Sequence, residues 1–349
     1  MTNQYWRNEL NAEAMSGSEL MMLGLEENLG QEFLEPFHFT LSRLRDLPED
    51  KIRIYWAHDM AEDPESENAL ANEGWQRFHK IVFVSNWQAQ QFITRYNIPW
   101  SRTIVMRNAI NPVECDVLEK FDFSDATRTV KISYHTTPHR GLALLVPVIE
   151  HMQNELKEAN IDTHVDVFSS FGIYGSAWDE RNKQFQPLYD RVENNEQMTY
   201  HGFVSNEELY KHHADTHIFA YPCIWQETSC RALMESMSAG QLCIHPNYGA
   251  LFETASQWTA MYPWNEDAQQ HAMGFYQMLR NGIQLIVEND EGLKDKLRSQ
   301  KAYADMNYSW QVRSAEWTGM LNSLRDLPRA LPKKPSAKGD QVWSYSVDI

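Results

Sequence analysis

Eight short apolar runs punctuate this chain, and their spacing constrains the fold more than any other feature. They are IRIYWAH at 52–58, KIVFVS at 80–85, RTIVMRN at 102–108, VKISYH at 130–135, HVDVFSS at 164–170, MTYHG at 198–202, HIFAYP at 217–222 and LCIHP at 242–246. Runs of ~4 to 8 residues rich in Val, Ile, Tyr and Phe fit strands buried on both faces. Amphipathic stretches such as 141–156 and 228–239 lie between several of them. A strand, a helix and a further strand in succession build a parallel sheet with helices on its faces. The 349 residues suffice for two such units. The acidic stretch FDFSDAT at 121–127 marks the break between them. The expected fold class is therefore α/β, with one domain over 1–123 and a second over 124–308. From Glu266 onward the pattern reads mostly helical, and 309–349 is expected to be a helix followed by an irregular, proline-containing tail.

Composition excludes several classes of function. Hydrophobic residues make up 42 % and charged residues 23 %, the profile of a globular protein. No apolar run approaches the ~18 to 20 residues of a transmembrane helix, and MTNQYWRNELNAEAM lacks the basic and apolar blocks of a secretory signal. The four cysteines form no CxxC pair, which fits a reduced, cytoplasmic setting. A formal charge of −17 argues against a nucleic-acid surface. Residues 1–123 carry 11 Lys and Arg against 20 Asp and Glu, a balance that anionic membranes repel. His135 with His139 and His213 with His217 are spaced by four, without an HExxH context, and read as loop and surface histidines. The acidic run AEDPESE at 61–67 reads as a solvated loop.

The stretch YPCIWQETSCRALMESMSAGQLCIHPNYG, from Tyr221 to Gly249, carries the chemistry. Glu227 precedes Thr228 and Ser229, good residues for a helix start. Such a start aims free N–H groups and the positive dipole end at its surroundings, a setting suited to a diphosphate. Glu235 lies eight residues on, about 12 Å along a helix. Two carboxylates so placed can grip distant parts of one extended ligand. They are too far apart for a retaining glycosidase pair, whose carboxyls sit ~5 Å apart. Two ordinary helix glutamates would read the same way in isolation; the small residues Ser236, Ser238, Ala239 and Gly240 and the strand on each side favour a ligand site.

This segment resembles the signature of retaining glycosyltransferases of family 4: Glu, seven residues, Glu, a small-residue helix end and an apolar strand. The resemblance implies the GT-B fold, two facing Rossmann-like domains with a cleft between them. It implies that Glu227 contacts the transferred sugar and Glu235 the nucleotide ribose, with Thr228 and Ser229 beside the donor. HPNYGALFE resembles the family's Gly-containing turn and places Gly249, Ala250 and Leu251 near the donor. SYHTTPHRGLALL resembles the loop whose cation binds the donor phosphates, and Arg140 is the matching cation. Many members carry an earlier arginine there, roughly where Tyr134 stands. In the first half, VFVSNWQAQQF and RTIVMRNAINP match in order, with Ala109 in place of a glycine and Asn108 near the cleft. His58 matches a histidine facing the donor sugar. Asp59 is placed to orient that imidazole or to meet the acceptor. SGSELMMLGLEENL resembles the first Gly-rich loop, with Gly17 and Ser18 allowing close backbone approach. The strand that normally precedes that loop has little sequence to form from, so the first domain reads as trimmed. Tyr308, Trp310 and Trp317 resemble the helix that returns toward the first domain.

The implied activity is transfer of a sugar from a nucleotide-diphosphate donor to an acceptor hydroxyl, with retention of configuration and with catalytic roles for Glu227 and His58. The acceptor, whether glycan, lipid or small molecule, is open. No cofactor and no required metal are expected: no Asp–x–Asp pair is present, and Arg140 with the helix start would neutralise the diphosphate. Alternatives are an epimerase or a phosphorylase of the same architecture, or a non-catalytic subunit that binds a nucleotide sugar.

Overall fold

The computed structural model describes residues 17–125, 128–175 and 178–331. The readings made on the first 16 residues and on the tail beyond 331 lie outside the described residues, as do the last two residues of the 121–127 stretch.

Ten strands form two sheets among the described residues. They are β1 (Phe37–Leu41), β2 (Ile52–Trp56), β3 (Lys80–Phe83), β4 (Thr103–Val105), β5 (Val130–Tyr134), β6 (Thr163–Val167), β7 (Met198–Tyr200), β8 (Ile218–Ala220), β9 (Leu242–Pro246) and β10 (Ala260–Tyr262). The first sheet has the order β1-β2-β3-β4 and the second β10-β9-β8-β5-β6-β7. Every pairing is parallel, with Tyr55 opposite Ile81, Ile132 opposite Ile218 and Ala220 opposite Ile244. Each of the eight apolar runs contains a strand. Two strands were not anticipated. FHFTL of β1 is interrupted by polar residues, yet His38 and Thr40 are buried with the rest. β10 spans only three residues.

The second sheet is wound in two directions from its middle. The chain runs from β5 to β6 and β7 on one side, then returns to place β8 on the other side of β5 and continues to β9 and β10. Between β5 and β8 the strand order reverses. In open α/β sheets, ligands bind at the carboxyl ends of strands flanking such a reversal. The loops after Tyr134 and after Ala220 therefore define where to look.

One apolar core covers the second sheet, joining Ile132, Phe219, Leu145, Met237 and Leu279. Another joins the first sheet to the helix Trp310–Arg325, which sends Trp317, Met320, Leu321 and Leu324 against it. Trp317 sits 4.6 Å from Trp56 and 5.9 Å from Phe39, ring centre to ring centre. The crossing is pinned where the Ile110 amide donates to Tyr308 O at 2.8 Å and the Trp310 amide donates to Ile110 O at 3.2 Å.

Local readings needed three corrections. Part of the acidic run at 61–67 opens a helix, Pro64–Leu70, because the Asp63 side chain accepts from the Glu65 amide at 2.9 Å and caps it. His135 and His217 stand in loop and His213 in the helix Asn206–Asp215, but none is at the surface: His135 is 8 % exposed and the other two 1 % each. A neutral imidazole with hydrogen-bond partners is tolerated in a core: the Lys131 amide donates to His217 Nδ1 at 2.8 Å. The helix carrying Glu235 spans Arg231–Ser238, starting later than Thr228 and Ser229, which remain in the preceding loop. No described helix is long and apolar enough to cross a membrane.

Candidate active site

The loops leaving β5 and β8 meet at the reversal point. Gly141 follows a short 3-10 turn, Pro138–Arg140, and has φ of 143°. A Cβ there would lie 2.3 Å from Pro222 O, so only glycine lets the two loops touch. The Ile224 amide then donates to Arg140 O at 3.1 Å. The buried Tyr134 hydroxyl donates to Thr137 O at 2.9 Å and braces the loop.

Arg140 and Glu227, 87 residues apart in sequence, form an ion pair through Nη1 and Oε1. The Tyr221 hydroxyl donates to the same carboxylate oxygen. Glu227 is buried. Burial opposes the charge on Arg140, but Glu227, Tyr221 and Tyr174 outweigh it and hold the guanidinium above its usual range. Thus the anion that Arg140 meets here is Glu227 itself. One nitrogen of its fork, Nη1, is used in that pair.

Glu235 is also buried. It accepts from Arg231 Nη2 at 2.5 Å and from the Tyr210 hydroxyl at 3.0 Å. Gly249 has φ of +59°, and a Cβ on it would stand 2.6 Å from the Glu227 amide nitrogen. The Ala250 amide donates to Glu227 O at 2.7 Å. Ala250 and Leu251 are fully buried, so this turn presents backbone rather than side chains.

The first domain meets this loop directly. The Thr228 hydroxyl donates to His58 O at 2.9 Å, which accounts for its not capping the helix. Asn108 Nδ2 reaches Ser229 O at 3.5 Å. The His58 ring packs on Trp56 with centres 4.8 Å apart, and burial lowers its pKa to about 3, keeping it neutral. Around these loops, Thr136 Oγ1, Thr137 Oγ1, His139 Nδ1, Ser229 Oγ, Asn108 Oδ1 and His58 Nε2 are buried without a protein partner.

Asp59 does not orient the imidazole. Its carboxyl lies among Ser42, Asp63 and Arg43, and burial followed by Asp63 raises its pKa. Glu19, in the first turn of the helix Gly17–Leu29, contributes to the same rise. Gly17 and Ser18 open that helix, and nothing lies within 4 Å of where a Gly17 Cβ would stand. Neither is joined to Arg140 or Glu227. Sequence reasoning missed Tyr221 as a carboxylate donor, Tyr210, Arg231 and Glu253. Arg231 alone left a signal, standing four residues before Glu235.

At the level of fold, a glycosyltransferase from Rickettsia africae superposes with a TM-score of 0.61 at 14 % identity, covering 91 % of this chain and 84 % of that one. Anabaena HepE in complex with UDP and glucose gives 0.60 at 14 %, covering 88 % and 76 %. A UDP-forming α,α-trehalose-phosphate synthase from Burkholderia xenovorans, in complex with glucose-6-phosphate, gives 0.58 at 10 %, covering 78 % and 68 %. The chain has the GT-B fold of two Rossmann-like domains. At the level of sequence, residues 144–298, less than half of the chain, match the family described as glycosyl transferases group 1. No curated protein matches the sequence.

Proposed function

We propose that this protein is a glycosyltransferase, of the retaining family 4 type, that uses a nucleotide-diphosphate sugar. The supporting observation is the meeting of Arg140 and Glu227 at the carboxyl ends of β5 and β8, the reversal point of the second sheet. The match of residues 144–298 to group 1 glycosyl transferases supports the same reading.

In this reading the donor diphosphate lies against Arg140, and its oxygens compete with Glu227 for the guanidinium. Glu227 turns to the sugar hydroxyls and Glu235 to the ribose. The bond from the anomeric carbon to the diphosphate oxygen breaks, and a bond to the acceptor oxygen forms on the same face. The acceptor proton passes to the departing diphosphate. Charge stabilisation of that leaving group by Arg140 is the main electrostatic contribution. A neutral His58 offers a hydrogen bond to the sugar without setting a cation beside the electron-poor anomeric carbon. No metal takes part in this scheme, and the setting is cytoplasmic.

A thermal-shift series with UDP-glucose, GDP-mannose and ADP-glucose tests it. A ligand at ~100 times its dissociation constant adds about 2.7 kcal/mol of stability. One nucleotide should stabilise the wild type and lose most of that effect in Glu235→Ala. Release of nucleotide diphosphate should fall at least tenfold in Arg140→Ala. No shift with any of the three, and no release, would overturn the proposal.

A further inference from the structure

Glu253 lies one turn beyond the Gly249–Ala250 backbone, in the helix Leu251–Ala255, and its side chain is 12 % exposed. Its carboxylate leaves its own domain. Oε1 accepts from the Asn86 amide at 3.0 Å and from Asn86 Nδ2 at 2.8 Å, and Oε2 accepts from the Trp87 amide at 3.1 Å. Arg107 Nη2 stands 3.8 Å away. Asn86 and Trp87 open the helix Asn86–Tyr96 of the first domain. The start of any helix leaves N–H groups without partners and carries the positive dipole end. Here Ser85 serves the Gln88 amide at 3.1 Å, and the other domain supplies the acceptor for the two amides before it.

These contacts close a circuit through the site. On one side, the Ala250 amide is bonded to Glu227 O and Gly249 leaves no room for a side chain against the Glu227 backbone, which ties the start of the helix that carries Glu253 to Glu227. On the other side, Gln88 in the capped helix donates from Nε2 to Asp59 O at 2.8 Å, next to His58. The circuit closes where Thr228 donates to His58 O. Glu227 and His58 belong to different domains and must keep one geometry to act on one sugar.

We propose that Glu253 is a positioning residue for glycosyl transfer. By capping the helix Asn86–Tyr96 from across the cleft, it fixes His58 opposite Glu227 and holds the domains together over the donor. This rests on the reading of Arg140 and Glu227 as a donor site. Loss of the carboxylate frees the helix start and leaves the Thr228–His58 and Asn108–Ser229 contacts to join the domains beside Glu227. In Glu253→Gln the amide oxygen can keep the two Asn86 bonds while its NH2 faces the Trp87 N–H, so the isosteric variant should lose less than Glu253→Ala.

The test uses the full chain as wild type, Glu253→Gln, Glu253→Ala and Glu150→Gln, the last breaking an ion pair with Arg191 on the second domain. Release of nucleotide diphosphate is followed from UDP-glucose, GDP-mannose and ADP-glucose, with methyl glycosides and with water as acceptors. Small-angle scattering follows the radius of gyration without ligand. The expected result is a kcat at least tenfold lower in Glu253→Ala and an intermediate loss in Glu253→Gln, a donor KM within about twofold of wild type, a larger radius of gyration in Glu253→Ala, and a Glu150→Gln protein like wild type. A purely structural contact would lower thermal stability while leaving kcat as in wild type, and that outcome overturns the proposal. An unchanged radius of gyration in Glu253→Ala overturns the latch itself. A wild type that releases nucleotide from none of the donors overturns the donor-site reading, and the positioning role with it, a failure the scattering curves distinguish from loss of the latch.

Discussion

Two side chains, Arg140 and Glu227, hold most of the electrostatic tension of the site. Removing one member of a fully buried ion pair costs roughly 3–5 kcal/mol, because it strands the other charge. The Arg140 side chain is 24 % exposed, so water screens part of that loss, and Glu227→Gln should cost about 2 kcal/mol. The same variant makes a sharper prediction. If phosphates compete with Glu227 for the guanidinium, a nucleotide diphosphate should raise the Tm of Glu227→Gln by more than it raises that of wild type, even as turnover collapses. An equal or smaller rise sinks the competition. Tyr221→Phe separates stability from charge. It removes one hydrogen bond to a carboxylate, worth about 1.5–3 kcal/mol, and leaves the ion pair in place. Its Tm should drop while the donor KM, measured by nucleotide release, stays near wild type.

Turns, not helices, deliver the site's backbone, and glycine decides whether they can. Gly249→Ala places a methyl group 2.6 Å from the Glu227 amide nitrogen in a left-handed conformation that alanine disfavours. Its expected outcome is at least a tenfold loss of turnover together with a lower Tm. Gly319→Ala is the control: it lies in the exposed face of the helix Trp310–Arg325 with nothing within 4 Å of its Cβ, and should stabilise by up to about 1 kcal/mol. Calorimetry and nucleotide release on both variants decide this, and a Gly249→Ala protein with wild-type turnover would remove the turn from the site. Legibility follows the same division between local and distant causes. Continuous apolar runs announce β2 to β9, because strands buried on both faces need them. β1 escapes notice because His38 and Thr40 break the pattern while being buried anyway. Arg140 and Glu227, which the fold brings together, each stand in a compact local motif, whereas Glu235 is held by Arg231 and Tyr210. The late helix start at Arg231 is not readable, since the hydroxyl that would cap it at Thr228 is spent on His58 O of the other domain. Glu253 and Asn86 are 167 residues apart, and only the closing of two domains makes them partners.

For the molecule as a whole, acid is the condition its interior tolerates least. His38, His135, His217, His245 and His271 are each at most 8 % exposed. Burial lowers their pKa values, to about 4 for His38, His245 and His271 and to about 3 for His135 and His217. The hydrogen bonds agree: His217 Nδ1 accepts the Lys131 amide, and a proton on that nitrogen would break the bond. The unfolded chain titrates these groups near 6.5. Below that pH it binds protons that the folded chain refuses, so the folded state loses stability as pH falls, down to the folded-state values. Each histidine contributes a slope of about 1.4 kcal/mol per pH unit. Several acting together match the ~5–15 kcal/mol stability of a typical protein by roughly pH 5. The excess of carboxylates behind the −17 charge works the other way, since protonating them relieves repulsion, but that begins only near pH 4. The Tm should therefore be nearly flat from pH 8 to 7 and fall steeply below 6.5. Calorimetric unfolding at pH 5.5 in two buffers of different ionisation enthalpy counts the protons taken up. Uptake of several protons is expected; none taken up would mean that these histidines already carry their charge in the folded state.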